Sequence, residues 1–187
     1  MKLLYVLFLL FSINLSYADN IGSQTGLEIP RYVSLKSNDS NMRVGPSKNY
    51  PIKLNYISKN YPVKIIDEYL DWRKVEDFEK NIGWMHKSLL TGERYGLILS
   101  RNKRSANIYN SINGKVIGEI NTKLIVRLSK CKIDWCFILI NNYKGWIRKK
   151  NIWGVKGNEK FNISFIEMFN DYYFKSINYI DRYINTK

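Results

Sequence analysis

Few residue types in this chain of 187 residues are suited to covalent chemistry: two cysteines, Cys131 and Cys136, and one histidine, His86. A thiol hydrolase needs a thiolate beside an imidazole that takes its proton. His86 follows Gly83-Trp84-Met85 at the end of a strand-like run and reads as a surface or partly packed residue. Two thiols with one distant imidazole make a poor metal site, and the spacing is not the CxxC of a redox pair. The acids Glu68, Asp71, Glu76, Asp77 and Glu79 fall on one hairpin and read as a solvated edge rather than a glycosidase pair. There is no HExxH and no glycine-rich phosphate loop. The expectation is a chain with no catalytic residue, no metal and no cofactor. The side chains left for recognition are the aromatics Tyr50, Tyr56, Trp72 and Trp84, with the tryptophans expected to serve as core or as a lid over a barrel end.

The elements that hold these residues alternate in period two. Residues 31–35, 62–69, 72–78 and 82–86 read as strands, with Gly45-Pro46-Ser47, Asp71 and Asn81-Gly83 as turn chemistry between them. In the loop 45–51 the glycine is expected at positive φ and two prolines stiffen the backbone, a fixed excursion suited to binding. Residues 95–99 make a further strand. The pattern then recurs in weaker form: Ala106-Asn107-Ile108-Tyr109 echoes the strand at Asn41, residues 123–128 echo the strand at Pro62, Asp134-Trp135 echoes Asp71-Trp72, and Gly145-Trp146-Ile147 echoes Gly83-Trp84-Met85. The step from Trp to Gly-Trp is 11 residues in the first copy and 10 in the second. This recurrence implies two units in tandem. Each is small enough that its core is marginal alone, so the two are expected to pack on one another or on a shared element.

At the ends the pattern changes. Lys2, an apolar run over 3–15 and Ser16-Tyr17-Ala18 have the layout of a removed signal peptide, with cleavage expected between Ala18 and Asp19. The run is too short for the roughly 20 residues that span a bilayer. Residues 19–30 read as a polar linker. Over 156–187, Ile163, Ile166, Tyr173, Ile177, Ile180 and Ile184 recur at three- and four-residue steps, with Ser164 and Glu167 at capping-box spacing, and predict a C-terminal amphipathic helix. It would pack across the two units, form a dimer face or partner contact, or lie on a membrane surface. In an exported chain, two cysteines this close suggest a disulfide clamping a hairpin, Cys131 to Cys136, with a metal or redox site as its rivals.

The order Asn41-Met42-Arg43-Val44-Gly45-Pro46-Ser47, Tyr50-Pro51-Ile52, Pro62-Val63, Asp71-Trp72-Arg73, Gly83-Trp84-Met85-His86, Ser88-Leu89-Leu90 resembles the bacterial SH3-like (SH3b) domain family. The second copy, with Cys131, Asp134-Trp135-Cys136, Gly145-Trp146-Ile147-Arg148 and Ile152-Trp153-Gly154-Val155, resembles a branch whose repeat carries paired cysteines about a tight turn. The resemblance covers about 31–155. It implies a mainly β fold: a five- to six-stranded SH3-like barrel over 31–92, a second over 93–155, then the helix. It implies a binding or spacer module without chemistry of its own. The acidic and aromatic cluster with which eukaryotic SH3 domains grip polyproline ligands is not recognisable, so PxxP binding is disfavoured. Gly45-Pro46 has no counterpart after Tyr109.

Thirty basic against 16 acidic residues give a net charge of +14; loss of Lys2 with the leader would leave +13. Such a field attracts anionic polymers, although Lys, Asn and Ile are abundant together, as compositional bias would also produce. Nucleic acid is not expected as a partner of an exported protein, nor is a stable membrane span once the leader is removed. The expectation is a periplasmic or secreted, non-enzymatic protein that binds a cell-wall polymer, peptidoglycan first, or an envelope protein. Arg43, Tyr50 and Trp72 are the ligand-binding candidates. The alternative is an interaction or scaffold subunit acting through the C-terminal helix, and homo-oligomerisation is compatible with either.

Overall fold

The computed structural model describes residues 20–100 and 104–162. The signal-peptide segment with Ala18 and Asp19, and residues 163–187 of the expected helix, lie outside the described residues; residues 156–162, the expected start of that helix, are not helical, and Phe161 instead bridges to Cys131. Fourteen strands form two antiparallel sheets of seven among the described residues. In the first are β1 (Arg31–Leu35), β2 (Ser40–Arg43), β3 (Ile52–Tyr56), β4 (Pro62–Tyr69), β5 (Trp72–Glu76), β6 (Ile82–His86) and β7 (Leu90–Thr91). In the second are β8 (Tyr95–Ile98), β9 (Ser105–Tyr109), β10 (Val116–Asn121), β11 (Ile125–Cys131), β12 (Trp135–Ile140), β13 (Tyr143–Arg148) and β14 (Ile152–Trp153).

The first sheet runs β3-β2-β6-β5-β4-β1-β7 and the second β10-β9-β13-β12-β11-β8-β14, the same order shifted by seven strands. Each also places one 3₁₀ turn before its last strand, Lys87–Leu89 and Lys149–Asn151. Seven strands per unit exceed the expected five or six. The two-residue strands β7 and β14 are too short to show a period, and edge strands β3 and β10 bury little, so neither alternates cleanly.

Each sheet wraps its own aliphatic core: Leu35, Met42, Val63, Ile65, Val75 and Met85 in the first, and a cluster including Ile98, Val126, Leu128, Cys136, Ile138 and Ile147 in the second. Trp72 and Trp84 are not core residues. The inward positions of β5 and β6 are Arg73, Val75, Gly83 and Met85, which turns both indoles to the outer face, half-buried. Gly83 is required because Met42 Cγ and the Arg43 carbonyl oxygen would lie 2.5 and 2.7 Å from a Cβ there; Gly145 is pressed in the same way by Ile108 Cγ2 at 2.3 Å and the Tyr109 carbonyl at 3.0 Å. The Gly-Trp motif thus marks where one strand crosses closely over another.

A β-bulge interrupts the long strand of each unit, between Ile65 and Asp67 in β4 and between Leu128 and Lys130 in β11. It reverses the parity of the remaining strand residues, so Glu68 and Cys131 point inward. Across the next strand they face Arg73 and Cys136 in identical register. The first unit therefore closes this hairpin with a buried ion pair, Glu68 Oε1 to Arg73 Nε at 3.4 Å, and the second with a disulfide, as expected for Cys131 and Cys136.

Two of the five acids are accordingly not part of a solvated edge, while Asp71 and Glu79 are exposed as expected. The Glu68 side chain is 0% exposed, and Asp77 is buried, accepting hydrogen bonds from Tyr56 Oη at 2.8 Å and from the Asn81 amide at 2.8 Å. Nor do residues 20–30 hang free. Glu68 accepts from the Gln24 and Thr25 backbone amides, both 2.9 Å, from Thr25 Oγ1 at 2.8 Å and from Arg31 Nη2 at 2.7 Å, which pins this arm to the first sheet.

The units meet at Trp153, whose ring lies edge-on to Tyr32 at 5.3 Å and to Phe78 at 6.1 Å. Gly154 beside it has φ +112°, with Pro62 Cβ 3.1 Å from where its own Cβ would sit. Lys156 Nζ reaches Glu28 Oε1 at 2.6 Å, and Arg94 pairs with Glu159 while donating to the Gly154 carbonyl at 2.9 Å. Among the described residues no helix is long and apolar enough to cross a membrane.

Candidate functional site

A groove of about 380 Å³ opens on the first unit between the loop after β2 and the β4–β5 turn. Pro46, Leu70 and Trp72 give it apolar walls; Ser47, Lys48, Asp71 and His86 supply polar groups. The register sets Trp72 opposite His86, and the two rings meet edge to face at 5.4 Å. The His86 Nδ1 accepts from the Ser88 backbone amide at 3.3 Å and lies 2.7 Å from Ser88 Oγ, so the neutral ring carries its hydrogen on Nε2.

The turn is held open by strain and by charge. Leu70 sits at φ +48°, a left-handed conformation uncommon for a branched side chain, and is 61% exposed. Arg73 Nη1 donates to the Leu70 and Trp72 carbonyls at 2.8 and 2.9 Å. Because Glu68 fixes Arg73, the groove wall is tied to the buried ion pair. Burial alone would raise the Glu68 pKa, but hydrogen bonds from Arg31, Thr25 and the Gln24 and Thr25 amides outweigh it and hold the carboxyl at about 2. At the rim, Asp71 is paired with Lys87 Nζ at 2.8 Å, and this hydrogen bond and charge keep its carboxyl below the usual range.

Of the sequence candidates, only Trp72 faces the groove. Arg43 braces it from behind, donating from Nη1 to the Tyr50 carbonyl at 2.7 Å. Tyr50 is 46% exposed and its ring covers Gly45, 2.7 Å from where a Cβ would stand. That contact, and not positive φ, is what calls for glycine at 45; Gly26 and Gly154 are the positive-φ glycines among the described residues. Tyr56 packs on the core instead, and burial first, then its hydrogen bond to Asp77, pushes its pKa far up. Leu70 and His86 were not among the candidates; the Trp72–His86 pairing follows from strand register once the hairpin is counted outward from Asn81-Gly83.

At the same register in the second unit, Leu70-Asp71-Trp72 becomes Ile133-Asp134-Trp135 and His86 becomes Arg148. Trp135 is 3% exposed, closed by Tyr109 edge-on at 5.0 Å and by the Arg148 guanidinium 4.2 Å above its ring. The backbone amide of Lys149 donates to the Asp134 carbonyl at 2.9 Å, as that of Lys87 does to Asp71 at 2.8 Å.

Residues 36–92 and again 103–154 match the bacterial SH3 domain family. No curated protein matches the chain. Solved structures similar to it include an NlpC/P60 family protein from Bacillus cereus ATCC 10987, 15% identical over 71% of this chain and 59% of that one, TM-score 0.29. They also include NlpC2 of Trichomonas vaginalis, 14% identical over 72% and 51%, TM-score 0.30, and NlpC1 of the same organism, 16% identical over 71% and 48%, TM-score 0.28. The chain spans between 48% and 59% of the length of these three structures.

Proposed function

The chain belongs to the bacterial SH3 domain family, and from that premise we propose that it is an exported, non-catalytic binding protein that engages peptidoglycan or another cell-envelope component through the groove beside Trp72. The observation that carries this is the groove's make-up: an indole face and two apolar walls beside a few fixed polar groups, the usual composition of a recognition site. Pairing of Cys131 with Cys136 and the engagement of His86 by Ser88 support binding over thiol hydrolysis. Export rests on the leader-like residues 1–18, and the basic charge would speed encounter with anionic wall polymers.

Sedimentation with purified murein sacculi at low salt tests it. The full chain is expected in the pellet, and Trp72→Ala in the supernatant. Leu70→Asn removes an apolar wall at a position where asparagine accepts positive φ, so it should keep the fold by circular dichroism while losing sacculus binding. A wild-type chain that stays in the supernatant overturns the proposal.

A further inference from the structure

The second unit has a pocket of its own, about 360 Å³. Ile133, Asp134 and Arg148 hold register positions shared with the first groove, but Lys149, Lys150, Val155 and Gly157 border it in place of the loop that lines the first, and its charge differs. Around the first groove stand one lysine, Lys48, one carboxylate, Asp71, and an imidazole. Around the second stand Arg148, Lys149 and Lys150 against the single carboxylate of Asp134. Its apolar walls are Ile133, at the position of Leu70, and Val155 after the last strand.

We infer that this second groove binds a carboxylate borne on a small aliphatic residue, held between Arg148 and Lys150. The Arg148 guanidinium carbon sits over the Trp135 ring at 4.2 Å, a contact that restrains the group, and a restrained guanidinium presents an N–H edge from which a carboxylate accepts two parallel hydrogen bonds. Beyond the ring, Arg148 has a long contact from Nη2 to Asn113 Oδ1 at 3.4 Å. Lys149 is buried and donates from Nζ to the Gly157 carbonyl at 3.1 Å and to the Glu159 carbonyl. It therefore fixes the far wall and adds positive charge from beneath. Lys150 is exposed at the rim. Asp134 repels an anion placed over it and so directs the ligand toward Arg148 and Lys150. The aliphatic part of the ligand lies along Ile133 and Val155, which a bare inorganic anion would leave unused. The site stands apart from the sacculus proposal, because its probe is a small molecule and its reporter lies in the other unit.

The test is a titration of the full chain with N-acetyl-alanine, with N-acetyl-alanine amide and with inorganic phosphate, tracking the indole N–H signals of Trp135 and Trp72 by nuclear magnetic resonance. N-acetyl-alanine is expected to move the Trp135 signal to saturation in the millimolar range and to leave Trp72 in place, with the amide inactive and phosphate weaker. Lys150→Gln, a rim change without packing cost, should weaken binding about threefold, and Arg148→Gln about tenfold. Shifts equal for acid and amide, phosphate binding as tight as the acid, no saturable shift of Trp135, or an unaltered Lys150→Gln variant would each overturn the assignment. Loss of sacculus binding with the Trp135 response intact would reject only the first groove's role.

Discussion

Replacing Glu68 with glutamine removes one charge from the centre of the first unit, and its consequence can be worked out from the geometry. The carboxylate has 0% side-chain exposure and holds Arg31, Arg73, Thr25 and two backbone amides. Its pKa falls from an ordinary 4.5 to about 2, which at about 1.4 kcal/mol per pH unit of displacement is worth about 3 kcal/mol at neutral pH. The sign is set by the depressed folded value: the stabilisation is complete above about pH 5 and is mostly lost as pH falls toward 2. Glutamine also leaves Arg73 buried without its counter-charge, so the expected loss for Glu68→Gln at pH 7 is about 3–5 kcal/mol. Urea unfolding of both proteins at pH 7 and pH 2.5 reads this directly: the gap should be large at pH 7 and narrow strongly at pH 2.5. Amide exchange at Gln24 and Thr25 should accelerate in the variant, since a glutamine whose single oxygen stays with Arg31, Arg73 and Thr25 Oγ1 turns its NH2 toward those N–H groups. A loss under about 1 kcal/mol at pH 7, or a gap unchanged between the two pH values, would refute the account of Glu68 as the clamp of this hairpin.

Trp153→Ala removes the ring between Tyr32 and Phe78 and should cost about 3 kcal/mol, turning one unfolding transition into two as the units part; a single transition with unchanged midpoint would contradict the interface role. Gly83→Ala and Gly145→Ala each drive a methyl onto a neighbouring strand and should destabilise by about 1–3 kcal/mol by urea titration, whereas Gly118→Ala, with nothing within 4 Å, should not. Reducing the Cys131–Cys136 bond removes a loop constraint worth about 2 kcal/mol, so the second unit should lose that much stability in reductant while the first is unmoved, as separate tryptophan signals would report.

Much of this fold was legible in the residues because alternation survives wherever a strand has one wet face: β4 carries it up to its bulge and β6 over its whole length, and Gly-Trp, 11 or 10 residues beyond a Trp, located both hairpins. What alternation cannot register is a bulge. Counting by twos from Val63 and Ile65 sends Glu68 outward, and only the extra residue between Ile65 and Asp67 turns it in. The acids therefore read as solvated when two of them are buried. Of the two places expected for Trp72 and Trp84, core or lid, the core fails for a related reason: the inward places on β5 and β6 belong to their neighbours. Of the site, the loop and Trp72 were legible from composition, while Leu70 and His86 become visible only through register, and Arg43 braces the loop instead of lining the groove.

The equivalence of Glu68–Arg73 with Cys131–Cys136 bears on how one frame supports two different sites. The six-residue windows from Glu68 to Arg73 and from Cys131 to Cys136 share length, register and the Asp-Trp pair, so both turns present an indole at the same place. What differs is the residue opposite it. His86 meets Trp72 edge to face and leaves the indole half-open, which keeps an apolar surface for a ligand to stack on. The Arg148 guanidinium sits over Trp135 while Tyr109 closes its side, so the second groove offers a guanidinium where the first offers a ring. An exchange at this one cross-strand position should thus convert aromatic contact into ion pairing: His86→Arg is expected to weaken sacculus binding and to give the first groove a response to N-acetyl-alanine at Trp72. Retention of the original binding with no new carboxylate response would show that the residue facing the indole does not decide what the groove accepts.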